Sequence, residues 1–286
     1  MSPLKGGVVI DLRATQSPDH RGRGIGRYAV ELALALERRG DDLVGRYLLE
    51  PAWPPPASAE LGPLVTSGKI AYAGAAGAIP ESTRLYHCMS PFELSVPCPR
   101  LWPPEVELNG LFFSTMVFDL IPLRMPGDYL ADARQERRYR SHLELLRLAD
   151  GVLAISEATR RDAIELAGLE AARVSSIGTG TPDDMVPPAS RLVAAGRALT
   201  AVPGLSPPFV LYPAGSDGRK NVERLIRAFA LLPDQVRTAH QLVIACELPR
   251  PMANHFRILA DDLGIKAQLL LTGHVPRSAL GLMYQG

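Results

Sequence analysis

Arg219 and Lys220 are adjacent cations in a loop that also holds Gly215, Ser216, Asp217 and Gly218, within the stretch FVLYPAGSDGRKNVERLIRAFALL. The apolar run 209–212 ahead of them is short enough for a buried parallel strand. Asn221 behind them suits a helix N-cap, because its side-chain oxygen can accept from an orphan backbone N–H. Val222, Leu225, Ile226 and Phe229 then recur at helical spacing. Free N–H groups, the positive end of a helix dipole and two cations converge at one point, an arrangement that suits a phosphate. The Gly-Lys-Ser/Thr ending of the P-loop is absent. A solvated Arg-Lys pair on an ordinary strand–helix turn uses the same residues, so the loop alone leaves both readings open.

A second constellation lies near the start of the chain. Val8, Val9 and Ile10 lead to Asp11, and QSPDHRGRGIG (16–26) follows, with Gly24, Gly26, Arg21 and Arg23. Tyr28, Leu32, Leu34, Ala35 and Leu36 predict a helix that stops near Gly40. A Gly-rich loop opening a helix lets backbone amides approach an anion closely, although a plain surface loop fits the glycines as well. The dinucleotide spacing GxGxxG is absent at 22–27. Two further polar residues end predicted strands: His87 after 84–86, and Asp119 after the apolar run LFFSTMVF. A lone histidine is more often structural than catalytic.

The elements that must position these residues alternate between strand and helix. Further strands are predicted at 43–49, 151–155, 173–177, 241–245 and 268–271. Helices are predicted at 129–148, 157–168, 192–199, 254–263 and from 278, with Ser156 as a cap. The 129–148 helix carries Arg134, Arg137, Arg138 and Arg140, read as a solvated face. Residues 50–62, with four prolines around Trp53, read as a loop, and the Ala/Gly-rich 71–78 as a connector. Strand–helix alternation implies an α/β fold of parallel sheets covered on both faces, with ligands beyond the carboxyl ends of the strands. The Gly24 loop, His87, Asp119 and the 215–220 loop all fall at such ends, which favours a shared cleft.

Composition bounds the function. The 286 residues allow two domains, and 47% hydrophobic with 21% charged residues is globular. A net charge of +1 gives no reason to expect a nucleic-acid partner. Cys88, Cys98 and Cys246 leave one cysteine over and have no metal or redox spacing, which points to a reducing cytoplasm. The N-terminus enters a strand pattern without a signal-peptide core, and no apolar run is long enough to span a bilayer. Peripheral contact with the inner membrane face stays open.

The ordered set VVIDLRATQSPDHRGRGIGRYAVEL, MVFDLIPLRMPGDYL, GVLAISEATRRDAIELAG, VSSIGTG, YPAGSDGRKNVERLIRAFALLP and LTGHVPRSALGLMYQG resembles the retaining glycosyltransferases of family four. The resemblance implies the GT-B fold of two Rossmann-like domains. It divides the chain into an acceptor-side domain at 1–185, a linker at 186–207, and an incomplete nucleotide-sugar-binding domain at 208–286. It implies transfer of a sugar from a nucleotide-sugar donor to a glycan, lipid-linked or small-molecule acceptor, with retention of configuration, as in polysaccharide biosynthesis. Arg219 and Lys220 would hold the donor diphosphate, with Gly215 and Asn221 beside them and the amides near Gly24 and Gly26 facing it. Asp119, His87 and Lys220 would be the catalytic candidates, and no metal or other cofactor is expected.

Two departures qualify the resemblance. The family's histidine before the aspartate is Phe118 here, which implies an altered donor preference. The family's acidic motif of two glutamates does not occur before the sequence stops at Gly286, so the chain reads as an inactive fragment. A non-catalytic sugar-nucleotide-binding or scaffold protein, and a nucleotide-sugar epimerase of the same fold, are the alternatives.

Overall fold

The computed structural model describes residues 5–17, 24–54, 58–92, 103, 106, 110–181, 185–213, 215 and 217–286. Arg21, Gly22 and Arg23 of the first Gly-rich loop, Cys98 and Ser216 lie outside the described residues. Two compact units divide the chain, Met1–Gly180 and Thr181–Gly286.

The first unit is built on seven strands: β1 (Val8–Asp11), β2 (Val44–Leu49), β3 (Ile70–Tyr72), β4 (Leu85–Cys88), β5 (Phe112–Val117), β6 (Gly151–Ala154) and β7 (Val174–Ser176). They pair in the order β3-β2-β1-β4-β5-β6-β7, all parallel. Alternate side chains enter opposite layers. Val8 and Ile10 join Ala29 and Ala33 of α1 (Gly24–Arg39) and Leu61 and Leu64 of α2 (Ser58–Thr66). Val9 and Val117 enter the other layer, with Leu143 and Leu146 of α3 (Ala133–Leu148) and Ala163 of α4 (Glu157–Glu165). Burial on both faces is why these strands read as near-continuous apolar runs.

Glycine is required at one crowded point of this sheet. A methyl group on Gly45 would collide with the carbonyl oxygen of Gly6, itself in the left-handed region at φ 64°. Gly45→Ala should therefore destabilise the protein by about 1–3 kcal/mol. A urea midpoint equal to the parent's would show that the Gly6 turn gives way freely.

The second unit holds β8 (Phe209–Tyr212), β9 (Gln241–Ile244) and β10 (Leu269–Leu271), parallel in the order β10-β9-β8. One face is covered by α6 (Val222–Ala230) and α8 (Arg250–Asp262), through Val222, Ile226, Phe256 and Leu259. The other is covered by α5 (Arg191–Ala201) and α9 (Arg277–Gln285), through Ala198, Ala279 and Met283. A short α7 (Asp234–Ala239), for which no periodicity was evident, lies between α6 and β9.

Several expectations are corrected. The helix expected at 192–199 forms as α5, capped by the Ser190 hydroxyl, and it buries Ala194 and Ala198 within the second unit. The end of the 50–62 loop (58–62) is helical, because Leu61 and Leu64 bury a helical face, and the first two residues of the 71–78 connector continue β3, which Ile70 opens beside β2. The charged helix starts at Ala133 rather than 129, where the Asp132 carboxylate accepts the Gln135 N–H at 2.8 Å. Two single helical turns, Ile121–Arg124 and Pro126–Tyr129, precede it. The fully buried residues of α1 are Gly26, Ala29, Val30 and Ala33, and the expected Tyr28, Leu32, Leu34 and Leu36 pack partly buried against the same core. β8 is an edge strand, so Val210 is 40% exposed where a buried strand was expected. Ser156 caps α4 as expected, accepting from the Thr159 N–H at 3.1 Å.

Candidate functional site

In the first unit the strand order reverses between β1 and β4, the position where open parallel sheets form ligand crevices. Ile10 pairs with His87 there, and Asp11 with Cys88. Chain direction after β1 is set by a buried ionic cluster. The Arg13 Nε donates to both Asp11 oxygens at 3.0 Å, and its Nη2 donates to Oδ2 at 2.7 Å. The Tyr86 hydroxyl donates to the same Oδ2 at 2.6 Å. Arg13 and Asp11 side chains are only 3% and 1% exposed. Burial is the largest single effect and would push the guanidinium pKa down, but attraction to Asp11, Tyr86 and Cys88 and the hydrogen bond to Asp11 together outweigh it, so the net shift is upward. Gln16, one turn on, takes the Glu50 N–H on its Oε1 at 2.7 Å and donates Nε2 to the carbonyls of Glu50, Trp53 and Pro54. The backbone entering the Gly-rich loop is thereby tied to the end of β2. Sequence reasoning treated Asp11 only as a strand end and passed over Arg13 and Gln16. The available signal was an Asp-x-Arg pair interrupting an apolar run.

His87 lies on the α1 face of the sheet. Its Nδ1 shares a 2.7 Å hydrogen bond with the Ser114 hydroxyl, and its Nε2 has no hydrogen-bond partner among the described residues. Burial lowers its pKa from 6.5 to about 4, with the Asp11 charge opposing weakly. The ring is therefore neutral at ordinary pH and reaches little solvent. The unfolded chain binds this proton more tightly than the folded one. Its contribution to stability is present above pH 6.5 and lost as pH falls toward about 4. His87→Gln should flatten the fall in unfolding free energy across that window. An unchanged slope would show that another group governs it, His142 being the other buried histidine shifted to about 4, by burial and by Arg138.

Asp119 follows β5 and is exposed. Its Oδ1 accepts the Ile121 N–H at 3.2 Å, so one carboxylate oxygen holds the turn. A pocket of about 180 Å³ opens beside it, lined by Ile25, Ser90, Phe92, Phe118, Pro122 and Tyr139. Tertiary structure thus brings Asp119 to the first turn of α1, since Ile25 sits between Gly24 and Gly26. Both glycines begin the helix rather than lying in a loop, Gly24 exposed and Gly26 buried. Phe118 meets the Tyr28 ring edge-on at 5.4 Å, and Phe92 stacks on Tyr139 at 5.0 Å. Phe92 has no sequence signal, and Tyr139 reads only as part of the apolar stripe of its helix, because their separation along the chain hides their contact.

In the second unit the 215–221 loop leaves the carboxyl end of β8 and opens α6. Gly218–Lys220 forms a 3₁₀ turn in which the Asp217 carboxylate accepts the Arg219 N–H at 3.0 Å. The same carboxylate lies 3.3 Å from the Arg219 Nε, so part of that cation's field is already compensated. Lys220 is exposed, its carbonyl fixed by the Tyr212 hydroxyl at 3.0 Å, and its ammonium has no partner among the described residues. Asn221 occupies the N-cap position but does not cap as expected: it adopts a left-handed conformation, φ 52°, and its side chain makes no capping bond. Gly215 is exposed. A second pocket of about 410 Å³ lies beyond the ends of β9 and β10, lined by Cys246, Leu248, Arg250, Asn254, Arg257 and Leu271 among others. Because the three strands are parallel, the cationic loop and this pocket share one edge of the sheet. Arg250, Asn254 and Arg257 were not foreseen, being spread along one helix without a motif.

Among the described residues no three His, Cys, Asp or Glu side chains gather to hold a metal ion, and no helix is long and apolar enough to cross a membrane.

No family model matches the chain. A serotype-specific mannosyltransferase, WbdA, of Escherichia coli is 28% identical over 170 residues, covering 58% of this chain and 20% of that protein. The chain therefore corresponds to only about a fifth of the curated relative. Among solved structures, the Anabaena HepE in complex with UDP-glucose superposes with a TM-score of 0.63 at 14% identity, over 96% of this chain and 71% of that one. WaaG, a glycosyltransferase involved in lipopolysaccharide biosynthesis, gives 0.56 at 17% identity, over 96% and 72%. The two parallel sheets have the fold of GT-B glycosyltransferases, as the ordered motifs implied.

Proposed function

We propose that the chain is part of a hexosyltransferase that moves a sugar from a nucleotide-sugar donor to a glycan, lipid-linked or small-molecule acceptor, with retention of configuration as in family four. The observation that carries this reading is the Lys220 turn: an exposed ammonium, without a partner among the described residues, at the N-terminus of α6, on the sheet edge that also bears the larger pocket. As the glycosidic bond breaks, the leaving diphosphate gains negative charge. Donors already aimed at that charge stabilise the transition state more than the ground state. Lys220, Arg219 and the first amides of α6 supply such donors without a metal ion. Arg250, Asn254 and Arg257 would contact the rest of the nucleotide.

The first unit would receive the acceptor near Asp119, whose second carboxylate oxygen can take a hydroxyl hydrogen bond. His87, neutral and buried, would act by holding the sheet edge rather than by exchanging protons with substrate. Sequence likeness to a mannosyltransferase supports a hexosyl donor. Cytoplasmic residence with peripheral membrane contact follows if the acceptor is lipid-linked.

The test is a transfer assay on the full-length protein with a panel of uridine and guanosine diphosphate sugars, products being analysed for anomeric configuration. Retained products are expected. Nucleotide binding by calorimetry without any turnover would instead favour a sugar-nucleotide-binding protein, and inverted products would remove the family-four assignment.

A further inference from the structure

The small pocket of the first unit has a lining that discriminates among sugars. Its walls are Ile25, Phe92, Phe118, Pro122 and the Tyr139 ring, and its polar groups are Ser90, Asp119 and the Tyr139 hydroxyl. We propose that it receives a 6-deoxyhexopyranosyl unit, with the C5 methyl group against the apolar wall and ring hydroxyls at the Asp119 carboxylate. This inference rests on the glycosyltransferase reading and narrows its substrate.

Size comes first. About 180 Å³ accommodates a single pyranose and little more. Shape is next: Phe92 stacks on Tyr139 with 22° between the planes, and Phe92 in turn meets His142 at 6.5 Å. Tyr28 holds Phe118 from the side with 86° between the planes. The aromatic walls are thus set by packing before any ligand arrives, so little ordering opposes binding. An aromatic face is electron-rich and attracts the polarised C–H bonds on the apolar side of a sugar ring.

Polarity then decides which sugar. Asp119 has one oxygen taken by the Ile121 N–H and one left to accept from hydroxyls. Among the described residues, the remaining lining is carbon-rich and carries no cation. An ordinary hexose placed with its ring hydroxyls at Asp119 turns its C6 hydroxyl toward Ile25 and Phe118, where it loses water without gaining a partner. A methyl group in the same place loses nothing and buries apolar area. An apolar site distinguishes ligands differing by one hydroxyl by about tenfold to a hundredfold.

The unit can arrive on the acceptor or on the donor, and the experiment separates these. The first arm measures binding of methyl 6-deoxy-α-D-mannopyranoside against methyl α-D-mannopyranoside to the full-length protein by saturation-transfer NMR and titration. The second measures donor hydrolysis without acceptor, using nucleoside diphosphate sugars that differ only at C6, with guanosine and with uridine as the base. A preference of about tenfold or more for the 6-deoxy compound is expected in one arm, and it identifies the source. Phe118→His, and independently Ile25→Ser, should shift that preference toward the hexose, with folding of each variant checked by its thermal melt.

Equal binding of the paired ligands in both arms overturns the inference, as does a preference that neither folded variant moves. Glycoside binding is read without catalysis. A protein that transfers sugars but ignores C6 therefore refutes this inference alone, whereas absence of transfer with every donor refutes the broader function.

Discussion

Lys220→Ala is expected to lower kcat/KM for sugar transfer by about 30- to 1,000-fold in the full-length protein. This corresponds to about 2–4 kcal/mol of lost transition-state stabilisation, the scale for removing one preorganised charged donor. The expectation follows from the loop geometry. Lys220 ends the 3₁₀ turn that opens α6, and the Tyr212 hydroxyl holds its carbonyl, so the backbone position is set without using the ammonium. The ammonium is free to meet the charge that accumulates on the leaving diphosphate. Arg219→Ala should cost less, because Asp217 already compensates part of its charge at 3.3 Å. Both variants are solvent-facing and should melt close to the parent, which separates a catalytic loss from a folding loss. A Lys220→Ala enzyme of unchanged efficiency would remove this loop from the site, and a larger loss in Arg219→Ala would reverse the assigned roles.

Asp11→Ala should be the most destabilising single change among those considered, at about 3–5 kcal/mol. It leaves the Arg13 guanidinium, 3% exposed, without its close hydrogen-bonded counterion, Glu50 lying farther off at 3.9 Å. The Tyr86 hydroxyl loses its acceptor at the same time. Arg13→Ala leaves the complementary charge and should fall in the same range. A buried pair contributes little net stability once both desolvation costs are counted, so the double variant Asp11→Leu/Arg13→Met should recover most of the loss. Chemical denaturation of the four proteins compares a broken pair with one replaced by apolar side chains. Single variants within 1 kcal/mol of the parent would mean that water reaches the pair. Recovery of stability without recovery of transfer would show that the cluster's contribution to function is to set the course of the chain between β1 and α1.

Local features were legible because their causes are local. The Ser156 cap of α4, the helical spacing of Val222, Ile226 and Phe229, and the apolar run of β5 each depend on neighbours within a few residues. The strand–helix alternation carried the α/β fold and, with the ordered motifs, the two-sheet architecture. Errors arose where distant packing decides. The helix at 192–199 is readable locally, but that Ala198 packs with Ala279 and Met283 of α9 is not. Asn221 looks like a cap until the preceding 3₁₀ turn forces it to a positive φ.

The chain by itself determined which polar residues stand at or beyond the carboxyl ends of β1, β4, β5 and β8: Asp11, His87, Asp119 and the Arg219–Lys220 pair. What surrounds them was decided only by the order in which strands pair. Asp11 and Tyr86 are 75 residues apart in sequence, yet meet because β1 lies beside β4. Ile25, Phe92, Phe118 and Tyr139 form one pocket because α1, β5 and α3 meet at that edge. Periodicity encodes the face a side chain takes within its own element. Which neighbour covers that face depends on crossovers spanning dozens of residues, and these are settled by burial of both faces of the sheet at once.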